Sequence, residues 1–345
     1  MDRPITQVSE LARDENGLWD DFVRAHPDGS FFHLSAWRDI IERQFGHRSH
    51  YLVARRAGCI VGVLPLAEVR SRLFGHSISS LPFCAHAGPV GDDEAVGLLE
   101  AEAERIAQAR GVAHLEYRNL RPRHDDWPRQ DLYVNFRKAI EPDVEANMLA
   151  IPRKQRAMVR KGIKNDLKWT CDDDERRFFA LYADNVRRHG TPALSRRYFR
   201  TLLDTFGRDC TVHTVTTPDG KPLSSVLSFY FRGEVLPYYA GDDFGARALA
   251  ANDFKYWALM KEACERGYRV FDYGRSKVGT GPYSFKKNWG FEPQPLAYEY
   301  RLFKTDAVPQ NNPMNPKYRA FIALWRRLPL PVANALGPYL IRNLG

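Results

Sequence analysis

Apolar and polar positions fall in short blocks along this chain, and their period switches between that of a helix and that of a strand. Residues 18–26 and 35–45 carry helical spacing, the second with Ser35 as the predicted N-cap before AWRDIIERQF. Two β-rich runs follow in HYLVARRAGCIVGVLPLAEV, broken at Ala57-Gly58 as in a hairpin, and SISSLPF and AGPV continue the extended pattern. Asp92 and Asp93 open a helix in which Val96, Leu99, Ala103 and Ile106 recur at i, i+3, i+7 and i+10, and Gly111 closes it. VAHLEYRNL and DLYVNFRKAI read as strands again.

The second half repeats this order. ERRFFALYADNVRRHG answers the first helix, SRRYFRTLLDTFG the second, and TVHTVTTPDGKPLSSVLSFYF the hairpin, with its turn at Asp219-Gly220. Trp37 to Tyr198 and Phe45-Gly46 to Phe206-Gly207 are each offset by 161 residues, and Gly58 to Gly220 by 162, which argues for duplication of one domain. VLPYYAGDD, a helix bearing Tyr256, Leu259, Met260 and Ala263, YRVFDYG, a short helix near 282–289 and a last strand PLAYEYRLF complete the second half. That element order is similar to the GNAT acyltransferase fold. The expected class is α/β (α+β): two tandem GNAT-like domains with mixed central sheets, residues 1–145 and 146–308, then a basic amphipathic tail over 309–345.

Composition sharpens the picture at two places. The 345 residues carry 51 Lys+Arg against 42 Asp+Glu, a net +9, but residues 151–168 hold +6 and residues 311–345 hold +5, leaving the rest at −2. A near-neutral globule with two basic segments does not suit a general polyanion binder, and no DNA partner is expected. The charged N-terminus lacks an apolar leader core and no apolar run reaches the ~18 residues of a membrane span, so the chain reads as cytoplasmic. Five scattered cysteines, without a CxxC pair, read as small buried hydrophobes. His47 and His50 form an HxxH without the glutamate of a metalloprotease, and no metal is expected.

Candidate chemistry concentrates late in the chain. Gly274 to Thr280 has phosphate-loop spacing but lacks the Lys-Ser/Thr pair. Gln108 to Ala113 fits the pyrophosphate pattern of acetyl-CoA enzymes but sits at a helix C-terminus, whereas Gly245 to Asn252, at the expected place, departs from it. Arg153, Arg156, Arg160 and Lys164 stack on one helical face, either a solvated face or a contact for an anionic substrate. The segment from Asp272 to Gly290 gathers turn glycines, hydroxyls and cations, among them Arg275, Ser276 and Lys286, suited to a negatively charged group. The alternative is structural: an Asp272–Arg275 pair, with Phe285 and Trp289 capping the core.

With those residues in view, the chain resembles the Fem peptidyltransferase group, whose members carry two GNAT-like domains and move amino acids from aminoacyl-tRNA onto peptidoglycan precursors. The nearest likeness is to the branch associated with PEP-CTERM/exosortase and exopolysaccharide loci, through HPDGSFFHLSAW, FGH, VGVLPL, YYAGDD, FDYGRSKVGTGPYSFKKNWGFEPQPLAYEY and NPKYRAFIALWRRLPLP. The family's GPVxD corresponds to Gly88–Asp92 and its FK-x-x-[FW]G to Phe285–Gly290, which implies Asp92 as catalytic aspartate and Lys286 as holder of reacting groups or charge. The alternative for Asp92 is an N-terminal helix residue favoured by the helix dipole. Where relatives place a phosphate-binding lysine four residues after the Trp of the second helix, Trp37 is followed by Ile41, and the long coiled-coil arm is absent.

The implied reaction is attack of an amine on an activated acyl carbon, with Asp92 or Asp242 accepting the proton. Lys286, Arg275 and Ser276 would serve the anionic side, Tyr238, Tyr239 and Tyr273 the acceptor cleft, and Arg156, Arg160 and Trp37 would add substrate contacts. The donor is aminoacyl-tRNA or acyl-CoA, with no permanently bound cofactor, and the acceptor an envelope or exopolysaccharide precursor. The alternatives are an acyl-CoA-dependent N-acyltransferase and an inactive adaptor of the polysaccharide or protein-sorting machinery. Tyr318, Phe321, Ile322 and Trp325 recur at i, i+3, i+4 and i+7, so residues 315–345 either touch the inner membrane or pack on their own domain.

Overall fold

The computed structural model describes residues 4–71, 75–308 and 319–343, in two compact units. Unit 1 is Met1–Leu132, Pro295–Gln310 and Arg342–Gly345; unit 2 is Tyr133–Gln294 and Asn311–Ile341.

In unit 1, α1 (Asn16–Ala25) and α2 (Ala36–Ile40) precede β2 (Arg48–Arg56) and β3 (Cys59–Ser71), joined at Ala57 and Gly58, both with positive φ as the predicted hairpin requires. Ser35 does not cap α2: it is itself helical, and its backbone N–H donates to Asp20 Oδ1 at 2.7 Å. A helix α3 (Asp93–Arg110) starts from Asp92 and stops at Gly111, φ +64. The remaining strands are β1 (Thr6–Glu10), β4 (Gly75–Ser79), β5 (Val90–Gly91), β6 (His114–Asn119), β7 (Arg129–Gln130) and β15 (Ala297–Leu302), in the order β1-β2-β3-β4-β6-β15-β7, with β5 on β3. The apolar stripe Val96, Leu99, Ala103 and Ile106 is buried, as its helical spacing predicts, and Leu99, Ala103 and Ile106 share a core cluster with Leu52, Leu64, Leu66 and Leu115.

Unit 2 contains β8 (Tyr133–Ala139), α4 (Val144–Ala150), α5 (Arg153–Lys164), β9 (Lys168–Asp172), α6 (Arg176–His189), α7 (Arg196–Phe206), β10 (Cys210–Thr216), β11 (Pro222–Phe231), β12 (Glu234–Asp242), α8 (Ala251–Glu265), β13 (Val270–Lys277) and α9 (Gly281–Asn288), followed by the two-residue β14 (Gln294–Pro295). Its sheet runs β8-β13-β12-β11-β10-β9. Two glycines set how closely the helices approach. A Cβ on Gly162 would stand 2.7 Å from Phe254 Cβ, so α5 lies tightly on α8, and one on Gly241 would meet the Tyr182 backbone nitrogen at 2.3 Å, so α6 crosses β12 at backbone contact.

Two strands change partners relative to a division at residue 145. DLYVNFRKAI forms β8, which pairs with β13 in unit 2, and PLAYEYRLF forms β15, which pairs with β6 and β7 in unit 1. Alternation along a strand reports which faces are buried, not which neighbour takes its hydrogen bonds.

The tail folds as α10 (Arg319–Arg327) and α11 (Leu330–Ile341) against α6. Trp325 is buried, Ile322 lies over Gly190, and Gly337 sits on the Ala193 backbone. The face expected to meet a membrane therefore covers unit 2 at Ile322 and Trp325; Tyr318 lies outside the described residues. No helix among the described residues is long and apolar enough to cross a membrane.

Candidate functional site

The main irregularity of the unit 2 sheet is a fork between its two parallel neighbours. β12 and β13 pair only at Glu234–Val270 and Val235–Phe271. Beyond that point each strand is bent: the β11–β12 register slips between Leu227 and Ser228, and the β13–β8 register slips between Asp272 and Arg275, where Gly274 takes φ +66. The slips leave backbone donors and acceptors of both strands without a ladder partner in each other, a slot for an extended group carrying amides of its own.

Lys286, on α9, reaches under β13 and donates to the carbonyls of Tyr273, Gly274 and Arg275 at 2.7, 3.0 and 3.2 Å. The ammonium is buried, above the rings of Phe136 and Tyr273, and burial pulls its pKa down to about 7 against the opposing attraction of Asp272. All three N–H vectors end on the chain's own backbone, so Lys286 holds the β13 bend. Asp272 is buried beside it, accepting from Gly274 N–H at 2.7 Å and Asn135 Nδ2 at 3.2 Å, and burial pushes its pKa to about 6 against those bonds. The alternative Asp272–Arg275 ion pair is not found among the described residues; Arg275 lies over the Tyr133 ring, 4.9 Å from its centroid. Asn135 Oδ1, Ser228 Oγ, Tyr273 Oη and Ser276 Oγ, on strands flanking the fork, are buried without a hydrogen-bond partner among the described residues. Buried polar atoms are normally satisfied, which makes the set suited to a polar ligand or water.

At the far end of β12, Asp242 faces a cavity of about 560 Å³ whose lining includes Arg176, Arg177, Asp184, Lys221 and Asp243. Its carboxylate accepts from Ser224 Oγ and, at 3.0 Å, from Lys255 Nζ, a lysine with no exposed surface. Its own main-chain carbonyl is held by Asn185 and Arg188 of α6. The carboxylate is thus held at Oδ1 by two donors while 29% of its side chain remains exposed. Lys255 was missed in the sequence because the surrounding rows looked apolar; the signal was a lysine at i, i+4 with Ala251 and Leu259, both of them buried.

Other expected residues land elsewhere. Asp92 is the N-cap of α3, accepting from Ala95 N–H at 2.9 Å, and its two oxygens take the Arg56 guanidinium at 2.8 and 3.2 Å. Trp37 has no exposed surface and its indole N–H donates to Phe31 O, so it belongs to the core of unit 1 rather than a binding surface; Ile41 is equally buried. The Tyr273 ring packs in the core among Tyr256, Trp289 and Phe291, while its hydroxyl is one of the unpartnered atoms at the fork. Tyr239 joins the aromatic cluster of Tyr182, Tyr198 and Phe199, its hydroxyl 3.0 Å from that of Tyr198, and Tyr238 packs on Phe229. Ser276 is at the fork, whereas Arg156 of α5 donates to Leu149 O of α4. Arg153, Lys154, Arg160, Lys161 and Lys164 are exposed, and among the described residues none has a carboxylate within 4.0 Å.

Residues 151–287, which contain both the fork and Asp242, match a family model described as an acetyltransferase (GNAT) domain. FemX shares the fold at a TM-score of 0.67 and 15% identity, over 92% of this chain and all of that one. L-PGS from Bacillus licheniformis matches at 0.53 and 12% identity, over 96% and 97%, and a tandem GNAT protein from the clavulanic acid biosynthesis pathway at 0.54 and 13%, over 88% and 100%. No curated protein matches the sequence. The chain has a Fem-like tandem GNAT fold.

Proposed function

We propose that the protein is an acyl- or aminoacyl-transferase forming an amide on an amine of a cell-envelope or exopolysaccharide-related precursor, with unit 2 as its catalytic unit. The fork carries this reading: two parallel strands that part after two residue pairs, inside the segment that matches a GNAT domain. A donor arm lying in it would run between the parted strands, and Ser276 Oγ and Asn135 Oδ1, without a partner among the described residues, would offer it hydrogen bonds. Amide formation needs a proton acceptor for the attacking amine, and Asp242 has the qualifications: a cavity in front, Ser224 and a buried ammonium behind. Both candidate donors, aminoacyl-tRNA and acyl-CoA, bring phosphates, for which the unpaired cations of α5, Arg160 among them, are suited. The exopolysaccharide link rests on the motif resemblance alone.

The test is a thermal-shift panel of acyl-CoAs, aminoacyl-tRNA and nucleotide-linked sugars, followed by turnover with the stabilising donor. Asp242→Asn should then remove turnover and keep donor binding. No shift with any of them would overturn the transferase reading in favour of an inactive adaptor.

For the tail, we infer contact with an anionic bilayer through α11 rather than Trp325. Val332, Leu336 and Tyr339 are 42, 48 and 67% exposed on its outer side, and residues 311–345 carry five cations and no acid. Flotation with phosphatidylglycerol vesicles should be lost in Val332→Asp/Leu336→Asp; equal flotation of both proteins, or none by either, refutes it.

A further inference from the structure

The sheet edge opposite β8 carries a cluster that amide transfer leaves unused. Cys171, on edge strand β9, is exposed and stands directly across from His213 of β10. His213 is 2% exposed. Its Nε2 lies 3.2 Å from Glu262 Oε2, and its ring is stacked on Trp169 with centroids 4.5 Å apart and planes within 1°. The Trp169 indole N–H donates to that same Glu262 oxygen at 2.8 Å, and Arg266 Nη1 reaches the other oxygen at 3.3 Å. Thr211 Oγ1 is 3.3 Å from His213 Nδ1. The imidazole is therefore fixed in plane by a stack and in direction by a carboxylate that is itself held by two other donors. Burial alone would discharge His213, but its hydrogen bonds and the Glu262 charge outweigh it and raise the ring to about 9. Burial would likewise raise Glu262, yet its bonds from His213 and Trp169 take it down to about 2.

Each of the other cysteines lacks one part of this arrangement. Cys84, Cys210 and Cys264 are buried, and Cys264 Sγ points at the carbonyls of Glu141 and Pro142, at 3.2 and 3.1 Å. Cys59 is exposed, but the residue across from it is Arg56, whose guanidinium is already held by Asp92 and Glu94. Cys171 alone among the described cysteines combines solvent access with a cationic ring kept charged from behind.

We propose that Cys171, His213 and Glu262 form a reactive-thiol site at which Cys171 is modified by exchange with small disulfides such as oxidised glutathione. An imidazolium beside a thiol favours the thiolate, which is the nucleophile. Beside the standing imidazolium the Cys171 thiol gives its proton to water, and the resulting thiolate attacks one sulfur of the disulfide. The reagent's S–S bond breaks, a new S–S bond joins Cys171 to one half, and the other half leaves as a thiolate that takes a proton from water. No further oxidant is needed. Strands β10 and β11 separate β9 from β12, so the site stands apart from the fork, and its test requires no donor or acceptor.

The full chain is treated with limiting iodoacetamide between pH 5.5 and 8.5, and alkylation is followed by peptide mass spectrometry, with Cys59 as the reference thiol in the same molecule. Cys171 should react at least about threefold faster than Cys59 at pH 6.5, and His213→Asn or Glu262→Gln should bring it within about twofold. Oxidised glutathione should add at Cys171 and leave Cys59 free. Cys171 reacting no faster than Cys59 in the unaltered protein, or an excess unchanged in both variants, overturns the proposal. The first comparison stands even if a variant fails to fold.

Discussion

Replacing Lys286 by Met keeps the length of the side chain and removes the buried ammonium. The lysine holds its proton up to about 10.5 when unfolded and to about 7 when folded. Across that interval the unfolded chain binds more protons than the native one, so this group makes the wild-type protein more stable as pH rises, with ~5 kcal/mol as the bound at ~1.4 kcal/mol per unit of pH. Between pH 7 and pH 9 the expected gain is about 2 kcal/mol, because half of the native molecules are already deprotonated at the start. Asp272, at about 6, has mostly ionised below this window. The assay is urea unfolding of wild type and Lys286→Met at pH 7, 8 and 9, comparing extrapolated stabilities. Other lysines and tyrosines cancel in the difference between the two proteins. That difference should move by about 2 kcal/mol in favour of wild type at pH 9. A difference constant to within about 0.5 kcal/mol would mean that the lysine is protonated throughout, and the account of a desolvated ammonium under β13 would be wrong.

Further outcomes follow from contacts already described. Gly162→Val should destabilise by about 1–3 kcal/mol in thermal or urea unfolding, since its side chain must displace Phe254, whereas Gly97→Ala in α3, with nothing within 4 Å, should be neutral or stabilising. Asp92→Ala should cost about 1 kcal/mol as a lost N-cap and, once turnover is measurable, leave it in place; lost turnover at unchanged stability would make Asp92 the catalytic aspartate instead. Arg153→Glu/Arg160→Glu should weaken binding of a phosphate-bearing donor and flatten its salt dependence, and unchanged binding would remove α5 from the donor site.

Much of the architecture was legible in the sequence. The stripe from Val96 to Ile106, the stop at Gly111 and the turns at Gly58 and Gly220 are local statements, set by side-chain period and by backbone conformations that glycine adopts without strain. The repeated order of elements likewise survived, because a duplicated domain repeats those local rules. The site was legible only as a neighbourhood. FDYGRSKVGTGPYSFKKNWG covers the strand and helix beside the fork, but Lys286 looked like a ligand for an anion and holds three carbonyls of its own chain.

The sequence by itself determined the type and approximate place of most helices, strands and turns, though not β1, α4 or β9, and where the two basic segments lie, since each depends on residues a few positions apart. Tertiary structure decided the partners. It sent β8 and β15 to sheets that a division at residue 145 does not give them, parted β12 from β13, buried Lys255 behind Asp242, turned Trp325 inward, and set Cys171 across from His213. Hydrogen-bond partners and burial depend on residues far apart in the chain, and the same lysine, aspartate or cysteine acquires its chemistry only from the groups that the folded chain places around it.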